Sequence, residues 1–546
     1  MTALARPLDF RGAFRADDDA RAVYSESAGI ARIWPRAVAV PEDVDDLVQL
    51  VGWAAATNTP LIPRGSGSSM PNGSIGDGII VDLSRWRAIG AVNSVNRTIR
   101  VGPGALRNDV DRAARKHRLR FPVDPSSGAF CTVGGMASTN AAGSHSMRFG
   151  PMRPWVRAID CVFADGARAE IRRGVASPET AAVHRFLSAQ SRISGAASVS
   201  ADHSGVLKDS SGYGLRAYAQ SRELVDLLVG SEGTLAFFAE LELDLIPVAP
   251  ATSSVLGAFA TIEAAVVAAG RSRAAGAVAC ELLDRTFLDV AASGGAERQV
   301  PAETESALLA EVEGDDESSA AAAARTIEQI FRDAGATTVR TALDRTTETE
   351  LWELRHAASP ILARLDPSLR SMQFIEDCAV PPANLAAYVL GVREILVANE
   401  TRGVIFGHAG DAHVHVNPLV DVSRAGWRER VERILESVVA LTATLGGTLA
   451  GEHGDGRLRT PFLPRVWSTA AIDAFNAVKA AFDPRGILNP GVKVAIPGES
   501  ALVEIKYDPQ LDLLPEQARN ALQHIEDVRG YAEFRLDLIA RVPASE

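Results

Sequence analysis

Three histidines and a glutamate stand among glycines in two stretches of the second half of the chain. The first, Gly407-His408-Ala409-Gly410-Asp411-Ala412-His413-Val414-His415-Val416-Asn417, follows the apolar run Gly403-Val404-Ile405-Phe406. Alternation along an extended strand puts His413, His415 and Asn417 on one face and Val414 and Val416 on the other. His408 lies across the Ala-Gly-Asp-Ala turn, within reach of His415. The second stretch, Gly446 to Gly456, ends a short strand on the pair Glu452-His453. Two imidazoles and a carboxylate suit a first-row metal ion, and a neighbouring group left off the metal suits a base. Catalysis by the same residues without a metal is the other reading, and both stand.

The first half offers a different chemistry. Pro63-Arg64-Gly65-Ser66-Gly67-Ser68-Ser69 follows Pro60-Leu61-Ile62. Glycines and serines in this density turn the backbone inward and aim several N–H groups and hydroxyls at one point, which suits a phosphate. Alone, such a run is an ordinary surface turn. It recurs, however, at Asp124–Phe130, Thr132–Ser144, Lys208–Tyr213 and Gly230–Leu235. No G-x-G-x-x-G follows the first strand, which sets the Rossmann dinucleotide fingerprint aside.

These loops need a frame. Ala37–Val40 reads as a strand, and Val44, Leu47, Val48 and Val51 repeat at helical spacing after Pro41-Glu42-Asp43. Strands at Leu61-Ile62, Ile79–Val81 and Ile99–Val101 and a helix over Leu106–His117 continue an α/β alternation. A hairpin over Val156–Ile171 turns at Asp165-Gly166. Residues 174–207, rich in Ala and Ser, predict an insertion without regular periodicity. Thr234–Ile246 predicts a long strand before the Pro247–Pro250 boundary. The second half restarts with a strand (Ser254–Phe259), a helix (Ile262–Ala275), a strand near Cys280 and a helix over Ser318–Ala334. The expected division is a lead-in (1–35), a first domain (36–250), a second domain (251–496) and a tail (497–546) with a helix over Glu516–Asp527.

At 546 residues the chain is long enough for more than one core, and its net charge of −12 argues against nucleic-acid binding. Cys131, Cys161, Cys280 and Cys378 are dispersed with no Cys-x-x-Cys, which excludes a four-cysteine iron–sulfur run. No apolar leader or membrane-spanning window is present, so the expected compartment is the cytoplasm, with attachment to the inner membrane face as the variant.

The ordered segments PRGSGSS, DPSSGAFCTVGGMASTNAAG, GY and GSEGTL resemble the flavin-binding domain of the vanillyl-alcohol oxidase (p-cresol methylhydroxylase, PCMH) family. The resemblance implies FAD. It places Pro63, Arg64, Gly65, Ser66, Gly67, Ser68 and Ser69 around the pyrophosphate, and Ala137, Ser138, Thr139 and Asn140 along the flavin. It places Gly230, Glu232, Gly233, Thr234 and Leu235 toward the adenosine. Asp124, Pro125, Ser126, Ser127, Gly135, Gly143 and Asn489 complete the implied set. Ser68 stands where relatives with covalent FAD carry His, which implies a non-covalent flavin.

GHAGDAHVHVN, GEHGDGR and FDPRGILNPGVK resemble the C-terminal cap of FAD-linked 2-hydroxy-acid dehydrogenases, a group with D-lactate and D-2-hydroxyglutarate dehydrogenases and the glycolate oxidase flavin subunit. The fold implied is α+β, a two-part PCMH-type FAD domain followed by a ferredoxin-like cap. The resemblance makes His408, His415 and Glu452 ligands of Zn2+ or another divalent metal, and His453 the catalytic base. His413 fills a slot more often held by Asn. Arg355, in Trp352-Glu353-Leu354-Arg355, matches an arginine for the substrate carboxylate; a surface ion pair is its other reading. The segment Phe374–Pro381 resembles members fused to an iron–sulfur domain, whose cysteines this chain lacks, so electrons would pass to a quinone, a cytochrome or a separate iron–sulfur or electron-transfer protein. A homodimer is also compatible. The competing activities are a redox-neutral transfer like that of alkylglycerone-phosphate synthase, and a flavin-carrying subunit of a larger complex.

Overall fold

A computed structural model describes residues 6–195, 202–293, 299–362, 368–528 and 533–540. Ala37–Val40, Ile79–Asp82 and Leu61–Arg64 form a parallel sheet, with Ala13–Arg15 antiparallel on its outer edge. Asp43 starts the helix Val44–Thr57 by accepting a hydrogen bond from the Asp46 N–H. The buried stripe Leu47, Leu50, Val51 and Ala54 packs on one face of the sheet, against Ala37, Ala39, Leu61, Ile79 and Val81. Strand alternation turns Val38, Val40, Ile62 and Ile80 to the other face. There they meet the helix Asp18–Tyr24 together with Leu514, Ala518 and Ile539. The lead-in and tail segments together form the second covering layer of this sheet.

A second sheet is wholly antiparallel, in the order Thr98–Val101, Ala236–Asp244, Val156–Phe163, Arg168–Arg172. Its hairpin turns at Gly166, whose φ of 82° is in the left-handed region that glycine tolerates. Where composition predicts an aperiodic insertion, a helix runs over Ala181–Gly195. Its buried residues Ala182, Val183, Phe186 and Ile193 make a helical stripe, and Phe186 rests 5.4 Å from Phe482 between ring centres. Residues 196–201 of that stretch lie outside the described residues.

The cap is built on a seven-stranded antiparallel sheet. Four of its strands, Ala251–Phe259, Ala279–Asp284, Ser306–Gly314 and Thr338–Ala342, alternate with the helices Ile262–Ala274 and Glu317–Asp333 in the spatial order 4-1-3-2. That is the ferredoxin-like arrangement. Arg402–His408, His415–Asp421 and Leu369–Ser371 extend it beyond Ala279–Asp284. No helix among the described residues is long and apolar enough to cross a membrane.

Candidate active site

His408 ends one cap strand and His415 begins the next; the register pairs Phe406 with His415 and Glu281 with His408. The tight turn between them closes on Ala412, held at φ 54°. His408 Nε2 and His415 Nε2 each lie 3.3 Å from Glu452 Oε1. That spacing equals the edge of a tetrahedron with metal–ligand bonds of about 2.0 Å, roughly 3.3 Å. The other ring nitrogens are engaged: His408 Nδ1 with Glu281 Oε1 at 2.6 Å, and His415 Nδ1 with the Glu376 carbonyl at 2.9 Å. Metal-binding histidines are oriented by such partners. Burial alone would lower both imidazole pKa values, but Glu281 and Glu452 at His408, and Glu376 and Glu452 at His415, raise them. The pocket therefore draws positive charge to the point where a metal would sit, and the donor set fits a divalent ion.

His413 belongs to the same group, with a ring nitrogen within 4.8 Å of the donors of His408, His415 and Glu452. Its Nε2 meets Asp377 Oδ1 at 2.9 Å, while Nδ1 is buried without a hydrogen-bond partner among the described residues. Burial and the Lys208 charge push its pKa down to about 4, so it is neutral at pH 7. Lys208 Nζ stands 2.6 Å from Glu452 Oε2, the oxygen turned away from the two histidines' Nε2 atoms.

His453 stacks on His415 with ring centres 5.3 Å apart. Its Nδ1 lies 2.7 Å from Glu376 Oε2, its N–H donates to Asp377 Oδ2 at 2.9 Å, and its Nε2 is 3.5 Å from Glu452 Oε1. Burial disfavours its protonated form, but Glu376 and Asp377 outweigh burial and hold the pKa at about 9. Arg459 pairs with both carboxylates from behind. Arg355 is buried, not a surface residue: its Nε donates to Glu281 Oε2 at 2.7 Å and its guanidinium lies over the Phe406 ring.

A cavity of about 930 Å³ joins these residues to the loops of the first half. Pro63, Arg64, Gly65, Ser66, Gly67, Ser68 and Ser69 line it, as do Pro125, Ser126, Ser127, Gly135, Ser138, Thr139, Gly143, Glu232 and Gly233. So do Arg355, His408, His415, Glu452 and His453. Among the described residues, the backbone N–H groups of Gly65, Ser66, Gly67 and Ser68 donate to no other group, which leaves them for an anion. Arg64 supports the loop from beneath, its Nη2 donating to the Glu26 carbonyl at 2.9 Å and its guanidinium over the Tyr24 ring.

The remaining candidates stand behind the wall. Asp124 is bound to His145, and Asn140 Oδ1 accepts from the Arg153 N–H at 2.9 Å. Gly230 N–H donates to the Ala137 carbonyl at 2.9 Å, joining two of the expected segments. Thr234 shares a hydrogen bond with the Tyr213 hydroxyl, Leu235 is buried, and the Asn489 amide donates to the Gly73 and Glu232 carbonyls. The Glu232 carboxylate accepts from the Asp455 and Gly456 N–H groups at 2.7 and 3.0 Å and pairs with Lys493, tying the first half to the cap.

Residues 35–172 match the family described as "FAD binding domain", and residues 249–492 match "FAD linked oxidases, C-terminal domain". The chain is 30% identical to the glycolate oxidase subunit GlcD of Bacillus subtilis over 476 residues, 86% of this chain and 92% of that one. It belongs to the FAD-linked oxidase family. The D-lactate dehydrogenase of Archaeoglobus fulgidus is 28% identical over 83% of this chain and 90% of its own. The 4-ethylphenol oxidase of Gulosibacter chungangensis superposes with a TM-score of 0.65 at 15% identity, over 89% of this chain and 95% of that one, a likeness of fold. An alkyldihydroxyacetonephosphate synthase superposes with a TM-score of 0.61, also at 15% identity, over 87% of this chain and 82% of that one.

In this FAD-linked oxidase, reading the motifs did not assign site roles to Glu281, Lys208, Glu376, Asp377 or Arg459. Glu281 carries the clearest signal, a charged residue inside the apolar strand Ala279–Asp284, all six of whose residues are buried. A buried carboxylate requires a cationic or hydrogen-bonded partner, and here the partners are His408 and Arg355.

Proposed function

We propose that the chain oxidises a D-2-hydroxy acid, of the lactate, 2-hydroxyglutarate or glycolate kind, to the 2-oxo acid. The observation that carries this reading is His453 at the cavity wall, with Nδ1 held by Glu376 and Nε2 beside the His408–His415–Glu452 group. The names of the relatives, glycolate oxidase subunit and D-lactate dehydrogenase, support the substrate class. FAD held by the Gly65–Ser68 loop and the cavity wall would supply the acceptor for the C2 hydride. His408, His415 and Glu452 would hold a divalent ion, zinc or a first-row neighbour, whose Lewis acidity would make the substrate hydroxyl easier to deprotonate.

Glu376 and Asp377 favour the protonated His453 ring, and a cation at the His408–His415–Glu452 group would favour the neutral one. The neutral ring's Nε2 would take the hydroxyl proton, while the two carboxylates stabilise the resulting imidazolium. Arg355 takes the substrate carboxylate, its guanidinium oriented by Glu281 and supported by Phe406. The free N–H groups of Gly65 to Ser68 serve the flavin pyrophosphate. With Ser68 at the attachment position the flavin is non-covalent, so acid precipitation should leave a colourless pellet and a yellow supernatant; colour in the pellet counts against this. Electrons leave for an acceptor other than nicotinamide, such as a quinone, a cytochrome or a separate electron-transfer protein.

The deciding measurement is anaerobic bleaching of the flavin band against a panel of D- and L-2-hydroxy acids, with and without chelator. Bleaching by a D-acid, slowed by chelation, is expected. No bleaching with any hydroxy acid sinks the proposal.

A further inference from the structure

The segment beyond Pro497 lies outside both matched stretches, 35–172 and 249–492, yet it returns to the Pro63–Ser69 loop. Its first part pairs with the lead-in: Arg32 N–H donates to the Glu504 carbonyl at 2.8 Å, and Lys506 N–H to the Ile30 carbonyl at 2.9 Å. The helix Glu516–Val528 then packs on Asp18–Tyr24, and a last helix covers Glu533–Ala540. From this last helix Arg535, 5% exposed, donates through Nη1 to the Ser66 carbonyl at 3.2 Å and through Nε to the Val23 carbonyl at 3.3 Å. Arg535 lines the same cavity as the loop, beside Leu522 and Ile525 of the preceding helix.

Arg64 supports the loop from the other side. Burial, with the nearby Arg535 charge adding to it, pushes the Arg64 pKa down to about 9. Arg64, Arg535 and the row of backbone N–H groups of Gly65 to Ser68 gather at one end of the cavity, and together these donors suit a doubly charged anion.

We propose that the C-terminal segment is a wall of the dinucleotide site and that Arg535 is the cation serving the ligand's pyrophosphate. The apolar neighbours Leu522 and Ile525 give the nucleotide a face to lie on. The assignment rests on the flavin reading above, and it adds a ligand-binding element outside both matched stretches.

The test uses the full-length chain, with FAD dissociation followed by flavin fluorescence, and with ADP and adenosine as competitors for FAD uptake. Arg535→Gln should raise the Kd for FAD and for ADP about 10- to 100-fold, the worth of a charged hydrogen bond, while adenosine competes as before. Arg535→Lys should recover part of the loss. An FAD Kd within about twofold of wild type in Arg535→Gln overturns the proposal. Equal weakening of ADP and adenosine also overturns it, because the arginine then only anchors the helix. Wild-type protein that takes up no FAD overturns the flavin reading itself, and that arm is scored separately.

Discussion

The two ends of the cavity present their donors by opposite means. At the Pro63–Ser69 loop the donors are backbone N–H groups, set by glycine conformations and supported from beneath by Arg64. At the cap the working atoms are side chains, each held by a second buried charge: Glu281 behind His408, Glu376 behind His453, Arg459 behind Glu376 and Asp377. A backbone site tolerates many side chains but few changes of φ. A side-chain site tolerates little change in the charges that surround it.

If that contrast holds, His453→Asn should lower turnover by about 10²- to 10⁴-fold, the usual worth of a general base, with flavin content unchanged. Steady-state kinetics on a variant of measured flavin content checks this, and wild-type turnover would remove His453 from the chemistry. Next in size, Glu281→Gln should weaken divalent-metal affinity about 10- to 100-fold, because it loosens both His408 and Arg355. Equilibrium dialysis against zinc reads that effect directly.

Gly67→Ala probes the other end. Gly67 has φ +79°, and an added Cβ would stand 2.3 Å from Arg64 Nη2. The strain should cost about 1–2 kcal/mol of stability and loosen the flavin, with metal affinity unchanged. Thermal unfolding and flavin retention read the two effects; a variant as stable and as yellow as wild type would show that the loop adapts.

The smallest effect concerns the contact between the halves. His145 lies between Asp124 of the first half and Glu311 of the cap, at 2.5 and 2.9 Å. Burial lowers its pKa, but the two carboxylates outweigh that and raise it well above the ordinary value. A raised folded-state pKa gives stability that is fully present below the unfolded value of about 6.5 and is lost as pH rises through the folded one. The Tm advantage of wild type over His145→Asn should therefore be largest near pH 6 and shrink at alkaline pH. A gap independent of pH would mean that the imidazole acts by packing alone, including its stack on Trp352.

The contrast also explains what could be read from residues alone. Ala37–Val40 and Val44–Thr57 were legible because period-two and period-3.6 apolar patterns face one core. The glycine–serine loops and the His-Glu cluster were legible because their composition is unusual. Ala181–Gly195 was not, since alanines and serines blur the stripe that Phe186 and Ile193 complete. Lys208 and Glu281 meet the cluster from distant segments, through pairings that only the folded topology brings together. The packing of the tail was not legible either, because its partner, the helix Asp18–Tyr24, stands at the opposite end of the chain.

That last arrangement has a temporal consequence. One face of the sheet that carries the Pro63–Ser69 loop is closed by Leu514, Ala518 and Ile539, residues synthesised after the whole cap. At roughly 5–20 residues per second, the nascent first half waits on the order of tens of seconds with Val38, Val40, Ile62 and Ile80 covered on that side by the helix Asp18–Tyr24 without its C-terminal neighbours. The strands and the first half of their covering layer are made early, and the second half of that layer arrives last.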